Sequence, residues 1–129
     1  MNIPKKLIEF LEKNKKIPFV FSIIALITMT YFSSIPGNTL SFKSIWPSVI
    51  YHFSIFAGFA FFFLATITKN KLKIKTILTV GVISLIVSIL DEIHQSFVPL
   101  RSPSIFDILI DMTGVLFSII IYVLIKKSK

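Results

Sequence analysis

Apolar residues in this chain come in four long runs separated by short polar connections, with little of the alternation a half-buried strand would show. The runs cover about residues 17–35, 47–67, 74–97 and 104–125. A hydrocarbon core about 30 Å thick takes on the order of 20 helical residues to cross. The pattern therefore predicts an all-α polytopic membrane protein, a bundle of four transmembrane helices. The first run is the shortest and reaches spanning length only by extending to Ile35. Pro47 suits the first turn of a helix, where its missing N–H leaves no bond unmade. Tyr31, Trp46 and Tyr122 fall near span ends, where amphipathic aromatics prefer to sit. Ahead of the first run, "PKKLIEFLEKNKK" (4–16) reads as a short amphipathic helix lying on the membrane surface. In it Leu7, Ile8, Phe10 and Leu11 would face lipid while the lysines meet anionic headgroups. The expected organisation is an interfacial segment (1–16), a transmembrane domain (17–125) and a basic tail (126–129).

Composition agrees with this reading and rules out others. The chain is 54% hydrophobic with a mean hydropathy of +0.85, and it carries 14 Phe, more than a 129-residue soluble core could bury. It has no Cys, so disulfides, thiolate nucleophiles and Cys-based metal sites are excluded. A net charge of +8 raises the question of nucleic acid, but the lysines flank spans and form no basic face on a soluble module. Nucleic acid is not an expected partner. Lys5, Lys6, Lys13, Lys15 and Lys16 precede the first span, Lys69, Lys71, Lys73 and Lys75 connect the second to the third, and Lys126, Lys127 and Lys129 end the chain. The other two connections share only Lys43 and Arg101. Positive residues beside spans stay cytoplasmic, which predicts both termini inside a bacterial cell membrane. A cleaved leader over residues 1–35 is disfavoured, because the stretch before the apolar run is long and no A-x-A-like site follows.

With that orientation the scattered polar residues converge on the outer third of the bundle. Asp91, Glu92, His94 and Gln95 end the third span, and Arg101 lies in the outer connection between Pro99 and Pro103. Asp107 and Asp111 open the fourth span, Asp111 roughly 10 Å below its start at 1.5 Å per residue. His52 opens the second span, and Ser33 and Ser34 close the first. Helical spacing puts Asp91 on one face with His94 and Gln95, lets Glu92 meet Gln95, and turns Asp107 and Asp111 inward together. Ionisable groups at membrane depth are costly and face a bundle interior or a wet cavity. An outward-opening polar pocket is the expectation.

These residues resemble the VanZ-like family of small bacterial membrane proteins. The resemblance rests on Ser33 or Ser34 with Pro36, His52 in "YHFSIFAGF", Glu92 and Gln95 in "DEIHQ", then Arg101, Asp107, Asp111 and Gly114. It runs over about residues 30–118. Val49 stands where relatives often have Lys, and Asp111 where they often have Asn, so this pocket is the more acidic. What the resemblance implies is an envelope-related role, the family being named for a protein of glycopeptide-resistance clusters that gives low-level teicoplanin resistance.

Several of these residues also have plain structural readings. "SIFD" is a capping-box arrangement in which Ser104 caps the fourth span and Asp107 reaches back to it. Arg101 can pair with Asp91, Glu92 or Asp107 to fix the outer loop. Asp91 can point to the headgroups as a solvated charge, His52 can be a packing histidine, and Ser33 and Ser34 can finish a helix. Gly58, Gly81 and Gly114 are expected to allow close helix contact.

Three functions stay open. The first in rank is a non-enzymatic pocket that binds an envelope lipid or a lipoglycopeptide through Ser34, His52, Glu92, Gln95, Arg101, Asp107 and Asp111. Next is a membrane-embedded enzyme on a lipid-linked substrate, with Glu92, Asp111 and His52 as acid/base candidates. Last comes a proton- or cation-linked transporter, for which four spans without broken-helix repeats are few unless the chain forms an oligomer. No cofactor is predicted. Mg²⁺ or Ca²⁺ enters only as a bridge that would seat a phosphate in so acidic a pocket, since the ligand spacing matches no metal motif.

Overall fold

The computed structural model describes residues 3–39, 44–69 and 71–127; Lys43, and Lys129 of the basic tail, lie outside them. The described residues form five helices: α1 (Ile3–Lys13), α2 (Lys16–Ser33), α3 (Trp46–Ile67), α4 (Ile74–Gln95) and α5 (Ile105–Lys127). The last four are long and apolar enough to cross a membrane. Each stops within about two residues of the bounds read from hydropathy. The first is cut two residues short because Pro36 keeps Ile35 out of helical geometry, and Ser34 ends the helix.

Helix α3 lies at the centre and packs against every other helix, most extensively α5. Gly114 explains that closeness: a Cβ there would run into the carbonyl of Phe53 on α3. One turn on, Ser118 Oγ donates across the same seam to the Ala57 carbonyl. Small residues at an interface let helix backbones approach in lipid, where packing replaces the hydrophobic drive. Gly58 and Gly81 do not share this role, since a Cβ at either would meet nothing within 4 Å. The core is narrow, built from Phe56, Ala60, Leu64, Val80, Val115 and Tyr122 with their neighbours. Only 22% to 33% of each span's most apolar window is buried, so lipid must cover the rest.

Helix α1 forms as expected, but two of the four residues expected to face lipid do not. Its apolar residues spread over about 160° at 100° per residue, so they divide between two surroundings. Ile8 and Leu11 are buried in the bundle core, while Leu7 and Phe10 stay exposed. Glu12 locks the arrangement by accepting from Tyr122 Oη at 2.7 Å and from Lys126 Nζ at 2.8 Å. Tyr122 is therefore a fully buried partner of α1, whereas Tyr31 and Trp46 are exposed. Lys15 Nζ donates to the Thr68 carbonyl at 3.0 Å. Helix α1, the end of α5 and the start of the α3–α4 connection thus meet at one end of the bundle, which holds the described flanking lysines.

Candidate functional site: a polar layer joining four helices

At the opposite end, polar side chains from all four long helices meet. Asp111 is the deepest and has no solvent exposure. Its Oδ1 lies 2.9 Å from His52 Nδ1, and its Oδ2 accepts from Ser88 Oγ at 2.6 Å. With Asp111 ionised and the imidazole neutral, Nδ1 carries the proton and Nε2 presents a lone pair. The nearest acidic oxygen to Nε2 is Asp107 Oδ2 at 3.9 Å, beyond hydrogen-bond reach. His52 itself is only 2% exposed, and it lines a cavity.

Above it, Asp91 accepts from Ser33 Oγ at 2.6 Å and from Gln95 Nε2 at 2.9 Å, tying α2 to α4. Gln95 Nε2 also lies 3.4 Å from Glu92 Oε1, so one amide bridges two carboxylates at the predicted i+4 and i+3 spacings. Asp91 is buried, and the solvated-charge reading of it fails. His94 does not share the inner face. It is exposed on the rim, where its Nε2 sits 3.0 Å from Ser34 Oγ.

The capping box forms by half. Asp107 N–H approaches Ser104 Oγ at 3.4 Å, so Ser104 caps α5 as expected. The Ser104 N–H is taken instead by Glu92 Oε2 at 2.6 Å. Glu92 reaches from α4 to fill the place assigned to Asp107, and Asp107 is released toward His52. Arg101 also differs from expectation. It donates from Nε to the Ile35 carbonyl at 3.1 Å and from Nη2 to the Phe32 carbonyl at 3.0 Å. No carboxylate among the described residues lies within 4 Å of it. A cation there suits the negative end of the α2 dipole, and it shares the Phe32 carbonyl with the Ile35 N–H. Close by, Gly37 N–H donates to the Pro99 carbonyl at 3.1 Å, and a Cβ on Gly37 would overlap the Leu100 carbonyl. Leu100 holds a left-handed φ of 58° to make that turn.

The result is a cavity of about 410 Å³. Its polar wall includes Ser33, His52, Gln95, Arg101 and Asp107, and Phe32, Tyr51 and Leu100 supply apolar surface. Of the predicted site residues, His52, Gln95, Arg101 and Asp107 line it directly. Glu92 and Asp111 stand behind the wall as supports, and Ser34 sits outside on the rim. Tyr51 and Ser88 are among the members that went unforeseen. Ser88 does carry a signal: it precedes Asp91 by three residues and Glu92 by four, the one-face spacing of a helix.

Asp91, Glu92 and Asp111 are each no more than 4% exposed, and His52 is the sole basic side chain within 4 Å of any of them among the described residues. The VanZ/LLP1 family profile matches residues 12–126. The chain belongs to the VanZ/LLP1 family. That match takes in every residue of the polar layer and all of α3 and α4. No curated protein and no solved structure matches the chain significantly, so the chemistry of this VanZ/LLP1 pocket has to be argued from its own geometry.

Proposed function

We propose that the pocket opens to the outside of a bacterial cell and holds the polar headgroup of an amphiphilic envelope molecule, a lipid or a lipoglycopeptide such as teicoplanin. The observation that carries this reading is the cavity itself. It is large enough for a headgroup and mostly apolar, and it lies at the bundle end away from the lysines. Lysines beside spans stay cytoplasmic, which sends the cavity outward. Ligand sites of this size are typically greasy clefts with a few placed polar groups. The serine hydroxyls of the buried layer are committed to structure, Ser33 to Asp91 and Ser88 to Asp111, which favours binding over nucleophilic attack.

A second reading rests on the His52–Asp111 pair. An imidazole held by a buried carboxylate, with Nε2 turned to a cavity, is arranged as a general base. Under that reading the protein is an enzyme acting on a lipid-linked substrate.

One host distinguishes them. Teicoplanin and vancomycin susceptibility is measured in a Gram-positive strain expressing matched amounts of wild type, Asp107→Asn and Asp111→Asn. Headgroup binding predicts selective teicoplanin protection that falls with Asp107→Asn and largely survives Asp111→Asn. An enzyme loses all protection with Asp111→Asn, because an amide favours the wrong imidazole tautomer. A wild type that gives no protection contradicts the proposed role.

A further inference from the structure

The polar layer holds more carboxyl groups than basic side chains to pair with them. His52, Glu92 and Asp107 each bring a ligand-capable atom to within 4.8 Å of the other two, from α3, α4 and α5. Nothing in the sequence spacing announces this set, because each ligand comes from a different helix. We propose that the three residues bind one divalent transition-metal ion, Zn²⁺ by the chemistry of the donors.

Four features support it. First, His52 Nε2 makes no hydrogen bond among the described residues, and its residue is 98% buried, lines the cavity and faces Asp107 across 3.9 Å. Second, the 3.9 Å between Nε2 and Asp107 Oδ2 is too long for a hydrogen bond but short enough for one ion to bridge. A tetrahedral zinc with bonds of about 2.0–2.2 Å holds two ligand atoms about 3.3–3.6 Å apart, so side-chain movement of a few tenths of an ångström closes the gap. Third, the other imidazole nitrogen already has what a metal-bound histidine needs. Nδ1 is held by Asp111, and Asp111 is held by Ser88, which fixes tautomer and ring orientation. Fourth, a divalent ion cancels the charge of Glu92 and Asp107, which Arg101 leaves unanswered by turning to backbone carbonyls. An uncompensated charge at membrane depth is expensive.

The donors also choose among ions. Mg²⁺ and Ca²⁺ prefer all-oxygen shells, whereas an imidazole nitrogen with carboxylates suits a first-row transition ion. Three protein ligands leave a coordination position for the cavity. This inference stands independently of the headgroup reading, although an ion there would give an anionic headgroup a direct partner.

The test uses full-length protein purified in detergent without a histidine tag, stripped with chelator and dialysed against Zn²⁺. Bound metal is counted by mass spectrometry for wild type, His52→Gln, Asp107→Asn, Asp111→Asn and the rim control His94→Gln. The expected result is one zinc per chain in wild type and His94→Gln, and none in His52→Gln. Asp107→Asn should bind much more weakly, and Asp111→Asn about tenfold or more weakly through loss of orientation. Zinc that persists in both His52→Gln and Asp107→Asn, or wild type that binds none, overturns the proposal and leaves protons as the answer to the buried charge. Should His52→Gln fail to fold, zinc K-edge absorption on wild type decides. One imidazole nitrogen with carboxylate oxygens in the first shell supports the site, and a shell with no imidazole or with two overturns it. Zinc bound as described, with pocket variants that leave antibiotic susceptibility unchanged, keeps the metal site and removes the headgroup reading.

Discussion

The two ends of this bundle treat buried charge in opposite ways. At the lysine end, Glu12 meets Lys126 and Tyr122, and Lys15 meets a backbone carbonyl. Each of these groups has a polar counterpart, and Glu12 with Tyr122 and Lys126 forms a clamp that fastens α1 to α5. At the pocket end three carboxylates are buried against a single imidazole, and the nearby arginine is spent on helix α2. Removing two charges from water costs several kcal/mol per ion, and apolar residues in their place are often more stabilising. A stretch of membrane protein that needed only to hold together would not keep the pocket-end arrangement. On the proposed reading, the lysine end holds the fold and the pocket end binds.

The largest expected effect comes from breaking the pocket end on one side only. His52→Leu leaves Asp111 buried without its base and should cost about 3–5 kcal/mol, read from unfolding in detergent micelles. Adding Asp111→Leu should restore most of that stability while pocket function stays lost. If the double variant is as unstable as the single one, the pair serves the fold and the contrast collapses. A smaller effect is expected at the loops. Arg101→Ala frees the carbonyls of Phe32 and Ile35 and should cost roughly 1–3 kcal/mol for charge-assisted bonds. Limited proteolysis between α4 and α5 should quicken with it. The smallest belongs to the lysine end. Glu12→Gln weakens a part-exposed pair and should cost only about 1 kcal/mol, with pocket function intact. A Glu12→Gln variant that lost pocket function would join the two ends and undo the division.

How much of this was legible in the sequence follows physical range. The helices were legible because a span is a local property, 20 or so apolar residues in a row. Convergence of His52, Asp91, Glu92, Gln95, Asp107 and Asp111 was legible too, because alternating helix direction fixes depth. Partner choice was not. Arg101 was expected beside a carboxylate, since attraction of opposite charges is the default, but loop geometry at Gly37 and Leu100 carries it to the end of α2. Asp107 was expected at the cap of its own helix, and only the fold shows Glu92 arriving there first. The burial of Ile8 and Leu11 likewise depends on a distant helix, through Tyr122 and Lys126. Local periodicity cannot tell a core from a bilayer, because both are apolar.

The pocket's partners depend on which side of the membrane it faces, and the absence of cysteine makes that directly measurable. Single cysteines are placed at Ser102, on the pocket wall, and at Lys71, in the connection at the lysine end. Intact cells are then treated with a maleimide that cannot cross the membrane. The account predicts labelling of Ser102→Cys in intact cells and of Lys71→Cys only after permeabilisation. The reverse pattern would turn the pocket toward the cytoplasm and contradict an envelope ligand.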